Sequence, residues 1–385
     1  MGSFVVNSDE INLCAKSINS KSWANTLNRL IGAIRSANIK FPYKQQFIRH
    51  SPEKLMENLR NYQPQIIERE YILNGHKYFK SGIIKPEFEG HPIIFLNDDS
   101  KTYDDVNILS DVFSEKYRVK CHRYDFLLSP EEYFADDKNL FHLLKSIYFK
   151  GENITWFTIR EELYHKVPEC TNFKLTLALT ILKYFRATKI LDISAGWGDR
   201  LIAAIALPDL QYYHGTDPNV CLQECYRHII ETFVPVESRT KYRVQPLPFE
   251  DATITHTYDC IFTSPPYYNL ENYNIDTATG TKSGPQSIEK YQDRTTWFNE
   301  FLCRSLSKAW NHLEVGGTMI ISIEDIIKEW GPDRGCTLYT EDTVLFCNSS
   351  LPGARYLGVI GHTNVGKGRT RPLFVWRKQG DSLSP

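Results

Sequence analysis

Residues 189–200 read KILDISAGWGDR, in which an apolar run gives way to small residues. The apolar half is typical of a buried strand, and the residues after Gly198 predict a helix. Between them, small residues such as Ser194 and Gly196 let the backbone approach a ligand closely. The glycines do not follow the dinucleotide-binding GxGxxG spacing, and no lysine follows them as in a phosphate-binding loop. This stretch therefore predicts a strand and a ligand-holding turn of another type.

Strands and helices alternate on both sides of this turn. The pattern predicts helices at 172–185, 199–207, 220–233 and 297–313, and strands at 189–193, 212–216, 242–245, 258–262, 318–323, 356–360 and 373–376. Such alternation is typical of an α/β fold with a doubly wound sheet, here closed by a C-terminal antiparallel hairpin. Ligands of open α/β sheets bind at the carboxyl ends of the strands, where this turn falls.

The first part of the chain follows a different pattern. Residues 22–36 place apolar side chains on one helical face, and further helices are predicted to begin at Ser51-Pro52 and Ser129-Pro130. Residues 91–96 read as a short buried strand. We expect residues 1–152 to form an α-rich accessory domain, a candidate for substrate recognition, and residues 153–380 to form the α/β domain that contains the turn.

Composition narrows the class of protein. The chain has 385 residues, 42% of them hydrophobic, so it can bury a sizeable core. No stretch approaches the ~18 apolar residues of a membrane helix, and the N-terminus lacks the features of a secretory signal. We expect an intracellular protein without a membrane partner, in the cytoplasm or, for a eukaryotic host or virus, in the nucleus or a viral factory.

The cysteines favour a reduced state and give no strong metal signal. There are nine, and none forms a CxxC pair. Cys221, Cys225 and His228 have the spacing of a helix face that could bind a metal, but buried helix cysteines are far more common. We therefore expect no metal.

A second motif, Ser264-Pro265-Pro266-Tyr267, follows the predicted strand at 258–262. Together, and in this order, the two motifs resemble the S-adenosylmethionine-dependent DNA amino-methyltransferases that act on cytosine N4 or adenine N6. The resemblance covers roughly residues 165–376 and implies a Rossmann-like methyltransferase sheet. A serine in the first motif position is commoner among the cytosine N4 enzymes. The long target-recognition insert of the family is missing, which leaves specificity to residues 1–150, the 269–294 loop or the C-terminal hairpin.

The resemblance implies a site for S-adenosylmethionine. The turn after the first strand would wrap the methionine and ribose, Asp217 would accept hydrogen bonds from the ribose hydroxyls, and Glu250 or Asp251 would bind the adenine amine. The candidate cofactor-binding residues are Thr171, Asn172, Phe173, Asp192, Ser194, Ala195, Gly196, Trp197, Gly198, Asp217, Glu250 and Asp251. Asp217 as a helix cap, and Glu250 and Asp251 as surface acids, are equally open.

The resemblance also implies a catalytic role for Ser264, Pro265, Pro266 and Tyr267. An exocyclic amine is a poor nucleophile because its lone pair is delocalised into the ring. The Ser264 hydroxyl and the Pro265 carbonyl would accept its hydrogens and localise that pair, and Tyr267 would stack on the extruded base. A ring-carbon methyltransferase would need a Pro-Cys nucleophile, and the chain has none.

The expected partner is a nucleic acid, with DNA favoured over RNA. Residues 1–60 carry nine Lys or Arg against four acids, and Lys367, Arg369 and Arg371 crowd the tip of the predicted hairpin. These side chains would contact phosphates, or form a solvated face. The 269–294 loop, 26 residues long, is read as a mobile functional segment or a disordered insertion.

Two other functions remain open from the sequence. One is an RNA or protein amide methyltransferase with the same site chemistry, since similar signatures occur in both. The other is a catalytically silent nucleic-acid-binding scaffold. Richness in Lys, Asn, Ile and Tyr is typical of an AT-rich genome and, with the motif, suggests a large DNA virus or phage.

Overall fold

The computed structural model describes residues 11–14, 18–19, 21–63, 66–67, 94–96, 106–124, 127–273, 284–328, 335–337, 339–363 and 370–380. The helices in these ranges are α1 (Trp23–Ser36), α2 (Pro52–Arg60), α3 (Asp111–Arg118), α4 (Pro130–Ala135), α5 (Asp137–Phe149), α6 (Trp156–Lys166), α7 (Leu175–Tyr184), α8 (Asp199–Ile205), α9 (Gln223–Phe233), α10 (Ser287–Lys290), α11 (Arg294–Thr296), α12 (Arg304–Asn311) and α13 (Thr340–Ser350). A π-helix, Trp297–Cys303, precedes α12.

The strands fall into one large sheet and two short pairs. They are β1 (Asn12–Leu13), β2 (Ile66–Ile67), β3 (Ile94–Leu96), β4 (Ile154–Thr155), β5 (Lys189–Asp192), β6 (Tyr212–Thr216), β7 (Tyr242–Gln245), β8 (Tyr258–Thr263), β9 (Leu313–Ser322), β10 (Ile326–Lys328), β11 (Gly335–Thr337), β12 (Ala354–Thr363) and β13 (Thr370–Lys378). The large sheet has the order β2-β3-β12-β13-β9-β8-β5-β6-β7. β5 to β9 run parallel, and β13 is antiparallel to both β9 and β12.

The chain reverses its direction across this sheet between β5 and β8. From β5 it proceeds outward through β6 and β7, and it then returns to add β8 and β9 on the other side. Such a switch point leaves a crevice at the carboxyl ends of the two central strands, where ligands of open sheets bind. The turn at 193–198 follows β5 and the Ser264 motif follows β8, so the topology brings both motifs to this crevice.

The predicted fold class is confirmed. The strand order is that of a Rossmann-like methyltransferase sheet with a C-terminal antiparallel hairpin, and the N-terminal part is rich in helices. The hairpin does not form the outer edge of the sheet, because β3 pairs in parallel with β12 through Ile94 and Gly361. No helix among the described residues is long and apolar enough to cross a membrane.

Two apolar cores cover the two faces of the sheet, and a third lies among the N-terminal helices. Packing crosses the boundary expected after residue 152. Leu55 and Leu59 of α2 are buried in a core of the sheet, whereas Trp156 and Ile159 of α6 are buried with α1 and α5. The division of the chain at residue 152 stays a prediction.

Candidate functional site

The turn after β5 has two glycines with different surroundings. Gly196 and Gly198 have φ angles of +58° and +91°, a region that favours glycine. A Cβ on Gly198 would lie 2.8 Å from Ile229 Cδ1. Among the described residues, a Cβ on Gly196 would meet only the Ser194 carbonyl, at 3.8 Å. Packing against α9 therefore requires Gly198, whereas no described residue crowds the position of a Gly196 Cβ.

Three of the residues predicted to bind the cofactor, Asp192, Ala195 and Gly198, make structural contacts around the turn. Asp192 is fully buried and accepts hydrogen bonds from Arg200 Nε at 2.7 Å and the Tyr213 hydroxyl at 3.0 Å. The Ala195 amide donates to the Thr216 carbonyl of β6 at 2.9 Å. Asp192, Ala195 and Gly198 do not line the cleft described below. Their contacts hold the shape of the turn.

Asp217 follows β6 and joins two parts of the site. Its Oδ2 accepts from the Gly196 amide at 2.8 Å, and its Oδ1 accepts from the Asn219 amide at 2.9 Å. Burial raises the pKa of Asp217 to about 6, although both hydrogen bonds oppose that shift. Asp217 thus caps the turn that follows β6 and also faces the cleft.

Glu250 and Asp251 lie in a short turn after β7 and differ in burial. Glu250 Oε1 accepts from Lys290 Nζ at 3.3 Å and the Tyr291 hydroxyl at 3.1 Å. Its Oε2 is buried and has no hydrogen-bond partner among the described residues. The Asp251 side chain is 54% exposed and pairs with Lys290 at 3.2 Å. Glu250 therefore keeps an acceptor available inside the cleft, and Asp251 lies at its rim.

Residues 171–173 form the wall next to the glycine turn. The Asn172 amide group donates to Ser110 Oγ at 2.8 Å and to Asp111 Oδ1 at 3.0 Å. The Phe173 backbone amide donates to Asp199 Oδ2 at 3.2 Å. The Asn172 bonds tie the predicted cofactor segment to the N-terminal part of the chain, and the Phe173 bond ties it to the start of α8.

The motif after β8 contains a chain of hydroxyl groups. The Tyr267 hydroxyl lies 3.2 Å from Ser264 Oγ, and it donates to the Ser322 carbonyl at 3.2 Å. A carbonyl only accepts, so when the single Tyr267 hydrogen is directed at Ser322, the phenolic oxygen is left as an acceptor toward Ser264. In that arrangement the Ser264 hydroxyl donates to Tyr267, and the lone pairs of Ser264 Oγ are left for a ligand.

One cleft of about 960 Å³ contains both motifs. Of the predicted residues, its lining includes Thr171, Asn172, Phe173, Ser194, Gly196, Trp197, Asp217, Glu250, Asp251, Ser264, Pro265, Pro266 and Tyr267. The cleft mixes apolar walls with a few buried acceptors, as small-molecule sites do.

Sequence reasoning missed several acids in this cleft. Glu271 accepts from Arg123 Nη1 at 3.1 Å and from the Tyr273 hydroxyl at 2.7 Å, and burial raises its pKa. Burial likewise raises the pKa of Asp199 to about 7. Both acids lie beside motif residues in the chain, which is a signal that could have drawn attention to them. Asp111 gave no such signal, because it belongs to the N-terminal part.

The basic residues expected to bind the polymer are only partly described. Lys367 and Arg369 lie outside the described residues, as does the side chain of Arg371, and residues 274–283 of the expected loop do too. In the basic N-terminal segment, Lys44 lines the cleft and Arg35 pairs with Asp137 at 2.9 Å. The prediction of phosphate contacts stays a prediction.

Of the two cysteines with helical spacing, Cys225 lies in the apolar core and Cys221 is only partly buried. Cys225 is buried, and its thiol donates to the Phe113 carbonyl at 3.1 Å. Within the described residues, no group of three or more His, Cys, Asp or Glu side chains could hold a metal ion.

No protein-family model matches the chain, and no curated protein matches its sequence. Among solved structures, the N-methyltransferase NodS from Bradyrhizobium japonicum WM9 is similar over 54% of this chain and 94% of its own, at 10% identity and a TM-score of 0.35. A methyltransferase from Pyrococcus furiosus is similar over 54% of this chain and 84% of its own, at 17% identity and a TM-score of 0.34. An rRNA methylase from Streptococcus thermophilus is similar over 55% of this chain and 99% of its own, at 11% identity and a TM-score of 0.33. At these TM-scores the likenesses carry no argument about function, and the fold assignment rests on the strand order.

Proposed function

We propose that this protein transfers a methyl group from S-adenosylmethionine to an exocyclic amine of a DNA base, with cytosine N4 preferred over adenine N6. One observation carries the proposal. The glycine turn after β5 and the Ser264-Pro265-Pro266-Tyr267 motif after β8 line the same cleft, at the switch point of the sheet. A methyl transfer needs its donor site and its acceptor site within one cavity.

The residues present fit the cofactor. Asp217 would accept hydrogen bonds from the ribose hydroxyls. Glu250 Oε2, which has no hydrogen-bond partner among the described residues, would accept one from the adenine amine. Gly196 would leave room for the ligand, because among the described residues only the Ser194 carbonyl lies within 4 Å of a Cβ there. When bound, the cofactor supplies a methyl group on a sulfonium, which is activated without a covalent intermediate on the protein.

The acceptor end would act by orienting an amine. With its own hydrogen directed at Tyr267, Ser264 Oγ would accept one hydrogen of the amine, and the Pro265 carbonyl would accept another. The proline ring restricts φ, so this carbonyl stays in place. Both bonds favour a tetrahedral nitrogen with a localised lone pair. Preorganised acceptors of this kind are more effective in a cleft that excludes water.

Methyl transfer to DNA, RNA and protein pools tests the proposal. The purified chain is incubated with each pool and S-adenosylmethionine carrying a tritiated methyl group, and the products are resolved by mass spectrometry. We expect N4-methylcytosine, or N6-methyladenine, in DNA. Label in RNA bases or in protein amides alone would replace the proposed substrate, and label in none of the pools would overturn the proposal.

A further inference from the structure

Asp111, from the N-terminal part of the chain, lines the cleft and has one carboxylate oxygen without a hydrogen-bond partner among the described residues. Its side chain is 1% exposed and belongs to the cleft lining. Oδ1 accepts from Arg118 Nη2 at 2.6 Å and from Asn172 Nδ2 at 3.0 Å. Oδ2 is buried without a hydrogen-bond partner among the described residues, and Lys44 Nζ forms an ion pair with it at 3.9 Å, beyond hydrogen-bond distance.

A second carboxylate lies at the same end of the cleft. Asp199 Oδ1 accepts from Ser110 Oγ at 2.5 Å, and Asn172 donates to that same hydroxyl and to Asp111. The charge of Asp111 is among the causes that raise the pKa of Asp199, after burial. A buried acceptor without a partner is costly, more so when it is charged, and a cation with N–H donors would satisfy it.

We propose that Asp111 Oδ2 accepts a hydrogen bond from the ammonium of the methionyl end of S-adenosylmethionine. The proposal rests on the proposed function, which supplies that cofactor. Asp217 and Glu250 line the cleft and suit the adenosine part, whereas Asn172 and Phe173 border Asp111 and Asp199. The N-terminal part then completes the cofactor site.

The variant Asp111→Asn tests this assignment through binding alone. Arg118 needs an oxygen acceptor, so the asparagine oxygen would face Arg118 and its NH₂ group would replace Oδ2. Two donors would then face each other at the ammonium. S-adenosylhomocysteine keeps the ammonium and lacks the sulfonium charge, and 5′-methylthioadenosine lacks the whole amino-acid end. We expect the variant to bind S-adenosylhomocysteine at least about tenfold more weakly and 5′-methylthioadenosine with unchanged affinity, measured by calorimetry.

Glu115→Gln is the matched control. Glu115 lies on the same helix, is similarly buried, and accepts from the Lys44 amide at 2.8 Å and Arg160 Nη2 at 3.1 Å, but it does not line the cleft. Removing its charge should leave both affinities unchanged. Equal weakening of both ligands by Asp111→Asn, or no weakening of either, would overturn the assignment.

If Asp111→Asn does not fold, a change in the ligand tests the same contact in the wild-type protein. Wild-type protein should bind the deaminated analogue of S-adenosylhomocysteine at least about tenfold more weakly than the parent compound, and equal affinities would contradict the proposal. Wild-type protein that binds neither S-adenosylhomocysteine nor 5′-methylthioadenosine would instead overturn the proposed cofactor, and the assignment with it.

Discussion

At the scale of single residues, the Tyr267 hydroxyl should act on catalysis through Ser264. Tyr267→Phe keeps the ring but removes the hydroxyl 3.2 Å from Ser264 Oγ, which would receive the Ser264 hydrogen, so that Ser264 could turn this hydrogen toward the substrate amine. Losing one preorganised hydrogen bond at a reacting centre costs about 10²–10³ in rate. For this indirect contact we expect kcat to fall at least about tenfold, with little change in substrate affinity. Single-turnover methyl transfer measures it.

A double-mutant cycle separates this role from base stacking. In the Ser264→Ala background, Tyr267→Phe should have no further effect on kcat, because the two groups act as one unit. Tyr268→Phe is the control, since its hydroxyl donates to the Gln292 carbonyl at 2.8 Å and makes no bond to Ser264. Independent, additive losses in the cycle would contradict the relay.

The two glycines of the turn should respond differently to an added methyl group. Gly196→Ala places it where only the Ser194 carbonyl lies within 4 Å, so we expect weaker binding of S-adenosylhomocysteine with a modest loss of stability. Gly198→Ala drives it against Ile229 at a strained φ, so the free energy of unfolding should fall by about 1–3 kcal/mol. Calorimetric titration and denaturant unfolding measure the two effects. If Gly196→Ala binds S-adenosylhomocysteine with wild-type affinity, the assignment of Gly196 to the cofactor site is wrong.

The site residues that could be predicted are those that follow one another in the chain. Ser264 to Tyr267 form a continuous motif, so the family resemblance that it carries already implied the proposed acceptor chemistry. Asp111 and Ser322 reach the cleft only through tertiary structure, on a helix and a strand far from either motif. Nothing in their local sequence marks them, because burial and the missing partner of Asp111 Oδ2 arise only on folding.

At the scale of elements, α2 and α3 should be required for the catalytic sheet to fold. Leu55 and Leu59 of α2 are fully buried in its core, and Arg118 of α3 forms buried ion pairs with Asp111 and with Glu169 at the cleft. A chain that begins at residue 153 exposes these surfaces and leaves Glu169 unpaired with Arg118. We therefore expect it to show no cooperative thermal unfolding by circular dichroism.

A point mutation supports the same conclusion without truncation. Leu59→Ala should lower the free energy of unfolding of the whole chain by about 2–5 kcal/mol, the usual cost of a buried leucine. We expect one unfolding transition in this variant, in which the structure and the binding of S-adenosylhomocysteine are lost together. If the chain that begins at residue 153 unfolds cooperatively and binds S-adenosylhomocysteine, the predicted domain boundary after residue 152 would instead be supported.

The type of an element could be predicted where its apolar pattern is regular. Its first and last residues could be predicted only in some cases. The strand at 212–216 was predicted with the bounds it has, whereas β9 begins at Leu313 instead of 318 because Leu313 pairs with Tyr258 of β8. The predicted helix 297–313 is a π-helix followed by α12. The helix α13, with its mixed sequence TEDTVLFCNSS, was missed since it shows little apolar periodicity.

At the scale of the whole molecule, the C-terminal hairpin should bring cationic side chains to the DNA. Pro372 and Leu373 of β13 line the cleft, and β12 and β13 remain paired up to Thr363 and Thr370, on either side of the segment that contains Lys367 and Arg369. Neutralising Lys367, Arg369 and Arg371 should weaken DNA binding to all sequences alike. The slope of log affinity against log salt should flatten by roughly 0.9 for each phosphate that the variant no longer neutralises.

A matched pair of cations at the far end of the sheet provides the control. Arg243 lies on β7, the opposite edge strand, and Lys241 directly precedes that strand; both residues are exposed. Their neutralisation should leave the slope of log affinity against log salt unchanged. The comparison needs affinities at several salt concentrations for both variants and the wild type. An equal slope in the triple variant and the wild type would favour a solvated hairpin whose charges contact no phosphate.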